Sequence, residues 1–344
     1  MDSDAPASDA PVLVLGAGAW GTALALVLAG NGRRVLLWGR APAHQRRLRQ
    51  ERENRKYLPG AIFPRCLEPV LELPDTVARE PRAVVVVVPS QALRGTLGLL
   101  AGRVRGRLQV CLACKGIERE SLSLGHQVVA DCLGDNASCL VLSGPSFARD
   151  VARGLPVAVT LAAGNLPAAR RMAELFHGHR FRVYAHDDVS GVEIGGAVKN
   201  VIAIAAGLAD GLELGASARA ALVSRGLAEI VRLGEALDAR RETFMGLSGL
   251  GDLVLTCTGD QSRNRSFGKA LAGGMGVARA RAEVGATLEG VDTARSVYDL
   301  ARREGVSMPI VEQVVRLLDG EVAPRQALEM LLSRPPGLEL NVLS

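Results

Sequence analysis

The sequence predicts an α/β fold: an N-terminal Rossmann-like doubly wound sheet followed by an all-helical C-terminal domain. Short apolar runs alternate with helical stretches through the first half, and a glycine-rich turn joins the first strand to the first helix. After about Asp187 the strand signals give way to long Ala/Leu-rich helical periodicity.

Taken in order, residues 11–15 read as strand one and residues 19–29 as a helix after the glycine turn. Asn31-Gly32 then turns the chain into a second strand over 35–38. The uninterrupted run at 84–88 is too apolar for a half-exposed strand and belongs at the centre of a parallel sheet. Residues 108–113, 139–142, 157–161 and 181–184 supply further strands. Helical periodicity then covers 189–209, 216–237, 263–271 and 290–303, and the Pro-rich 334–337 segment is expected to close the last helix. The expected division is a disordered acidic tail over 1–11, a dinucleotide-binding domain over 12–188 and a helical substrate-binding domain over 189–344.

A chain of 344 residues, 48% hydrophobic and 22% charged, buries enough core for such a pair. Its net charge of +5 admits an anionic ligand, but the 36 acidic residues are interspersed with basic ones and only 3% are aromatic. Few stacking platforms remain, so no nucleic acid partner is expected. The six cysteines lie among apolar or small residues in a chain too large to need a disulfide scaffold, which fits a reducing cytoplasm. The acidic start lacks the basic and apolar parts of a signal peptide. Lys199 and Asp210 bracket the best apolar run, leaving it short of the ~20 residues of a membrane helix, so no integral membrane segment is expected.

Lysine is scarce: Lys56, Lys115, Lys199 and Lys269 are the four among 41 basic side chains. A guanidinium stays charged at any workable pH, whereas a buried amine can lose its proton and serve as an acid or base. Lys115 ends an apolar run at a Lys-Gly turn, and Lys199 stands in Ile194-Gly195-Gly196-Ala197-Val198-Lys199-Asn200. Lys56 and Lys269 read as solvated charges.

Gly16-Ala17-Gly18-Ala19-Trp20-Gly21 fits G-x-G-x-x-G between a strand and a helix. Gly16 permits the tight turn, Gly18 lets backbone approach a pyrophosphate, and Gly21 lets helix pack on strand. The diphosphate would rest on the helix N-terminus. Strand two ends Trp38-Gly39-Arg40, where an NAD-selective site places an acid, so the expected cofactor is NADP(H) or NAD(H), with Arg40 favouring the 2′-phosphate. Val88-Pro89-Ser90-Gln91 and Cys111-Leu112-Ala113-Cys114-Lys115-Gly116 follow strands, where ligand-facing loops lie. The C-x-x-C has no second copy and would face opposite sides of a strand, and His177-Gly178-His179 reads as loop, so no metal is expected. Gly144-Pro145-Ser146-Phe147-Ala148 offers backbone N–H groups and a hydroxyl at the same rim, and Leu247-Ser248-Gly249-Leu250-Gly251-Asp252 supplies an acid. Gln261-Ser262-Arg263-Asn264-Arg265 places two guanidiniums, two amides and a hydroxyl at a helix start, a cluster suited to phosphate.

Together with Lys199-Asn200, these motifs in this order closely resemble the bacterial-type NAD(P)-dependent glycerol-3-phosphate dehydrogenase family, over about residues 12–332. The glycine motif is shared by many folds; the ordered set is specific. The resemblance implies interconversion of dihydroxyacetone phosphate and sn-glycerol 3-phosphate for glycerophospholipid synthesis, and a homodimer. Position by position, it makes Lys199 the catalytic acid or base and assigns substrate contacts to Lys115, Gly144, Ser146, Lys199, Asp252, Ser262, Arg263 and Asn264. Cofactor contacts fall on Gly16, Gly18, Ala19, Trp20, Gly21, Arg40, Lys115, Ala148, Arg263, Thr287 and Glu289. Ala19 replaces a serine common in the family, and Gly285-Ala286-Thr287-Leu288-Glu289-Gly290 departs from its usual Val-Glu-Gly form, which makes Thr287 the weakest match.

Hydride arriving at a ketone carbon leaves negative charge on oxygen, which a lysine ammonium stabilises and protonates. Neighbouring ammoniums lower each other's proton affinity and burial adds to this, so Lys115 is expected to position the substrate and poise Lys199 near neutral pH. A 3-hydroxyacid or 6-phosphogluconate-type dehydrogenase, which also pairs a Rossmann domain with a lysine-bearing helical part, is a rival reading. A non-catalytic NAD(P)H-sensing regulator is another.

Overall fold

The computed structural model describes residues 10–73, 80–103, 106–285 and 287–333; most of the expected tail and the 334–337 segment lie outside them. The main sheet has eight strands in the order β10-β9-β8-β7-β6-β1-β2-β5. These are β1 (Val12–Leu15), β2 (Val35–Trp38), β5 (Leu67–Val70), β6 (Ala83–Val86), β7 (Leu108–Leu112), β8 (Ala137–Ser143), β9 (Val157–Ala163) and β10 (Phe181–His186). β3 (Glu53–Asn54) and β4 (Leu58–Ile62) form a separate antiparallel pair.

β1 is flanked in parallel by β2 and β6, with Val12 opposite both Val35 and Ala83. Both faces are covered, as the all-apolar strands require. Leu13, Leu15, Val84 and Val86 pack with Leu93, Leu97 and Val128, from the helices Leu93–Gly98 and Gly125–Leu133. Val12, Val14, Val35 and Val85 pack with Leu24, Leu28, Met172 and Phe176, from the helices Ala19–Gly30 and Leu166–Phe176.

Two departures from the sequence expectation have local causes. β8 and β9 are antiparallel, because Gly144 at φ +146° and the short Ala148–Ala152 helix return the chain at the end of the sheet where β8 finished. The pair β3–β4 and the edge strand β5 carry Pro59 and Pro69 and charged residues, which break the apolar signal but are tolerated where a strand lacks a neighbour on one side.

The second half is helical and is organised around Val189–Gly211, against which Gly215–Glu235, Asp252–Thr258, Arg263–Ala272 and Glu289–Arg303 pack. Asp188 starts this helix: Oδ1 accepts from the Gly191 N–H at 2.8 Å, and Oδ2 accepts from the Arg240 N–H at 2.9 Å and the Thr243 hydroxyl at 2.6 Å. By length and composition the helix could cross a membrane, but its apolar window is entirely buried within the fold, with Lys199 inside it.

Glycine sets the approach of the helices here. A Cβ on Gly207 would lie 2.0 Å from the Arg265 carbonyl oxygen, and one on Gly268 would lie 2.1 Å from that of Ile204. Alanine is the better helix former by ~1 kcal/mol, yet the overlap is with rigid backbone and dominates. Gly207→Ala is therefore expected to lower the unfolding free energy by about 1–3 kcal/mol. Guanidinium denaturation measures this; an unchanged or higher midpoint would remove the close-approach account.

Candidate active site

The nucleotide loop leaves the carboxyl end of β1. Gly16 has φ +120°, and a Cβ there would meet the Val87 carbonyl oxygen at 2.2 Å; one on Gly21 would meet the Gly16 carbonyl oxygen at 1.8 Å. Gly18 has nothing within 4 Å of its added Cβ, so the middle of the loop is open. Gly18 also heads the helix Ala19–Gly30 without a side-chain cap, leaving leading N–H groups for an anion. Backbone cradle and uncapped helix together fit a dinucleotide diphosphate. Ala19 and Trp20 are half-buried in the first turn, and Arg40 is exposed just past β2 with no ion pair among the described residues.

Past the carboxyl end of β7, one carboxylate joins two lysines. Asp252, 1% exposed, accepts from Lys115 Nζ through Oδ2 at 2.7 Å and from Lys199 Nζ through Oδ1. Lys115 also donates to the Gly144 carbonyl oxygen at 3.2 Å. Lys199 donates to Thr256 Oγ1 at 2.8 Å, while the Thr256 hydroxyl donates to the Asp252 backbone carbonyl at 2.6 Å.

Local sequence explains this convergence. Leu247–Gly251 forms a widened π turn, with the Gly251 N–H bonded to the Gly246 carbonyl five residues back at 3.1 Å, and Asp252 begins the next helix. Gly195 makes room for that turn, since a Cβ on it would sit 2.6 Å from the Ser248 carbonyl oxygen. Gly196 makes room for the sheet side: its Cβ would fall 2.8 Å from Ser143 Oγ and 3.4 Å from Lys115 Cγ. Burial lowers the Lys199 amine from the usual 10.5 to about 8; Lys115 pushes the same way and Asp252 opposes. Burial thus outweighs the like-charge effect that the sequence reading put first.

The other expected residues separate into groups. Ser146 lies beside the lysine pair, its hydroxyl donating to the Gly144 carbonyl at 3.1 Å, and Ala148 opens a short helix that packs on Ala19–Gly30. Asn264 Nδ2 donates to Asn200 Oδ1 at 3.0 Å, and Asn264 Oδ1 accepts from the Gly290 N–H at 3.1 Å, so it ties the Lys199 helix to the Glu289 helix. Glu289 accepts from the Ser90 hydroxyl at 3.0 Å, and burial raises its carboxyl to about 7 against that bond. Thr287 is half-buried next to this contact.

The Ser-Arg-Asn-Arg cluster does not act as one unit. Ser262 is buried, its Oγ accepting from the Arg265 N–H at 3.3 Å as a helix cap. Arg265 is held by Asp210 at 2.6 Å and Asp260 at 2.9 Å, which takes it away from any phosphate. Arg263 is exposed and has no ion pair among the described residues, so one guanidinium of the two is left for an anion.

Sequence reasoning left Thr256, Asn200 and Ser90 without a role. Thr256 sits one helical turn after Asp252, and that spacing was its signal. Asn200 and Ser90 stood inside motifs already singled out. Among the described residues no group of three or more His, Cys, Asp or Glu could hold a metal, and Cys111 of the C-x-x-C is fully buried.

Comparison with known proteins gives two adjoining family matches. The model described as NAD-dependent glycerol-3-phosphate dehydrogenase N-terminus matches residues 11–169, and that described as NAD-dependent glycerol-3-phosphate dehydrogenase C-terminus matches residues 188–329. A Thioalkalivibrio sulfidiphilus protein named glycerol-3-phosphate dehydrogenase, NAD(P)+, is 54% identical over 327 residues, covering 95% of this chain and 98% of that one. The crystal structure of a glycerol-3-phosphate dehydrogenase from Coxiella burnetii superposes with a TM-score of 0.92 at 42% identity, covering 95% of this chain and 99% of the other. A ketopantoate reductase of Ralstonia eutropha shares the fold alone, at 15% identity and a TM-score of 0.59, covering 92% of this chain and 99% of its own.

Asp252 is the group that opposes the fall in Lys199 basicity, so its removal has a definite sign. In Asp252→Asn the Lys199 titration is expected to move below about 8. Competitive acylation of Lys199 against pH, followed by peptide mass, reads the midpoint; a midpoint at or above the wild-type value would show that the carboxylate does not hold the charge.

Proposed function

The chain belongs to the NAD-dependent glycerol-3-phosphate dehydrogenase family, and from that premise we propose that Lys199 is the proton donor in NAD(P)H-dependent reduction of dihydroxyacetone phosphate to sn-glycerol 3-phosphate. The observation that carries this reading is the single buried carboxylate of Asp252 holding both Lys115 and Lys199. A bound nicotinamide supplies the hydride; the remaining tasks fall to side chains.

Lys115, less buried than Lys199, draws the substrate oxygens toward the Gly144 and Ser146 turn. Arg263, with Asn264 beside it, takes the phosphate, and that remote binding energy orients the carbonyl. As the carbonyl oxygen becomes negative, the Lys199 ammonium stabilises it and transfers a proton, leaving an alcohol and a neutral amine. Thr256 and Asp252 hold Lys199 in one position through both states. Ser262 contributes by fixing the start of the helix that carries Arg263 and Asn264.

The further parts of the reading rest on resemblance and on the motifs. The boundary between nucleotide and substrate domains lies near residue 188, the chain works as a homodimer in the cytoplasm, and its product supplies glycerophospholipid synthesis. Exposed Arg40, with no acid beside it at the end of β2, favours NADP(H) over NAD(H). Ala19, Trp20, Ala148, Thr287 and Glu289 would line the cofactor.

With Lys199 at about 8, the ammonium is present below that pH and the free amine above it. Dihydroxyacetone phosphate reduction is therefore expected to decline as pH rises through about 8, and glycerol 3-phosphate oxidation to climb through the same interval. Lys199→Met should lose about 10²–10⁴-fold in kcat with cofactor affinity retained. Near-normal turnover, or an unshifted pH limb in the variant, would end the assignment. For Arg40→Asp, steady-state rates with each cofactor should show the NADPH to NADH ratio of kcat/KM falling; an unchanged ratio would dissociate Arg40 from the 2′-phosphate.

A further inference from the structure

At the end of the sheet opposite the nucleotide loop lies a cavity of about 400 Å³ lined by Arg33, Arg34, Arg65 and Arg82. The strand order β6-β1-β2-β5 brings them together: Arg33 and Arg34 lead into β2, Arg65 precedes β5 and Arg82 precedes β6. Glu68 is the carboxylate in the lining, and it lies 3.9 Å from Arg34. Val12 and Leu175 form an apolar floor.

Among the described residues the lining brings four arginines to one carboxylate, and the local backbone carbonyls are already engaged. The Leu28 and Ala29 carbonyls at the end of the first helix already accept from the Arg33 and Gly32 N–H groups, each at 3.0 Å, and Ala29 also receives the Cys66 thiol at 3.5 Å. The Cys66 and Pro11 carbonyls accept from the Val35 and Arg82 N–H groups, at 2.8 Å and 2.9 Å. Arg33 Nε is buried and has no hydrogen-bond partner among the described residues. An oxygen-rich anion entering the cavity would instead offer acceptors to the arginine side chains that line it.

We propose that this cavity binds an oxyanion of the phosphate class, either free phosphate or a small phosphomonoester, at a site separate from both the nucleotide loop and the lysine pair. Guanidinium forks match tetrahedral oxyanions through paired N–H donors. The cavity exceeds the size of one phosphate group, and its Val12 and Leu175 floor suits a short carbon chain. β1 separates this site from Gly16 by its full length, about 13 Å at ~3.3 Å per residue. An anion here would therefore act on the stability of the sheet and not on the hydride-transfer geometry directly.

The test uses the full chain carrying Arg263→Ala and Asn264→Ala, which silences the substrate-phosphate locus. Inorganic phosphate and glycerol 2-phosphate are titrated calorimetrically, and Cys66, which lines the same cavity, is alkylated with and without each anion and read by peptide mass. Binding and slowed Cys66 alkylation are expected with at least one of the two probes, and which one binds tighter identifies the source. Adding Arg33→Gln and Arg82→Gln should weaken binding by at least about ten-fold and abolish the protection. In phosphate-free buffer the Arg33→Gln, Arg82→Gln chain with Arg263 and Asn264 intact should turn over at the wild-type rate, which checks its fold. No binding by either probe, binding that survives loss of the arginines, or Cys66 alkylation unaffected by bound anion would each overturn the proposal; should the arginine variant fail to fold, Cys66 protection in the parent chain decides.

Discussion

A carboxylate shared by two ammoniums is the constraint on which the site depends. Asp252 is 1% exposed, and its two oxygens are assigned one to each lysine. Without those partners the carboxylate would be an uncompensated buried charge; without the carboxylate the two lysines would repel across a dry gap. The drop of Lys199 from 10.5 to about 8 corresponds to about 3 kcal/mol at ~1.4 kcal/mol per pH unit. That energy is drawn from burial and is sustained by the packing around the helix. The same contact also joins the molecule, because Lys115 arrives from the sheet and Lys199 from the central helix.

Close backbone approach makes this contact possible. Gly195 and Gly196, one turn before Lys199, admit the π turn that delivers Asp252 and the stem of Lys115, while Gly207 admits the helix carrying Arg263 and Asn264. A helix so rich in glycine is weak by intrinsic propensity. Its stability comes from being enclosed by other helices along its length, with Asp188 holding its start and Arg219 and Arg265 both bound to Asp210 near its end.

Much of this was legible in the sequence where one residue type has one physical use. The glycine loop, the all-apolar strands and the two lysines set among small residues each pointed to their places. What escaped depends on partners distant along the chain. Nothing in Ser-Arg-Asn-Arg says that Asp210 claims Arg265 and leaves Arg263 exposed; that is decided by the packing of two helices. Ser262 reads equally as ligand or helix cap until the helix start is located. The reversal of β8 against β9 is set by the conformation of Gly144, and the hairpin and edge strand hide behind proline and charge. Thr256 was reachable, since a residue four after a buried acid on a helix lies on the same face.

The difference between the two lysines follows from burial more than from identity. Lys115 retains 14% of its side-chain exposure and Lys199 only 7%, and they bind the same carboxylate. The residue nearer solvent keeps part of its hydration. The enclosed one loses that support, so its neutral form comes within reach at ordinary pH. An arginine at Lys199 would remain charged at any workable pH and could not make the proposed proton transfer. On the proposed mechanism, the scarcity of lysine in an arginine-rich chain has a physical meaning at this position, because proton transfer there calls for a cation that can be discharged.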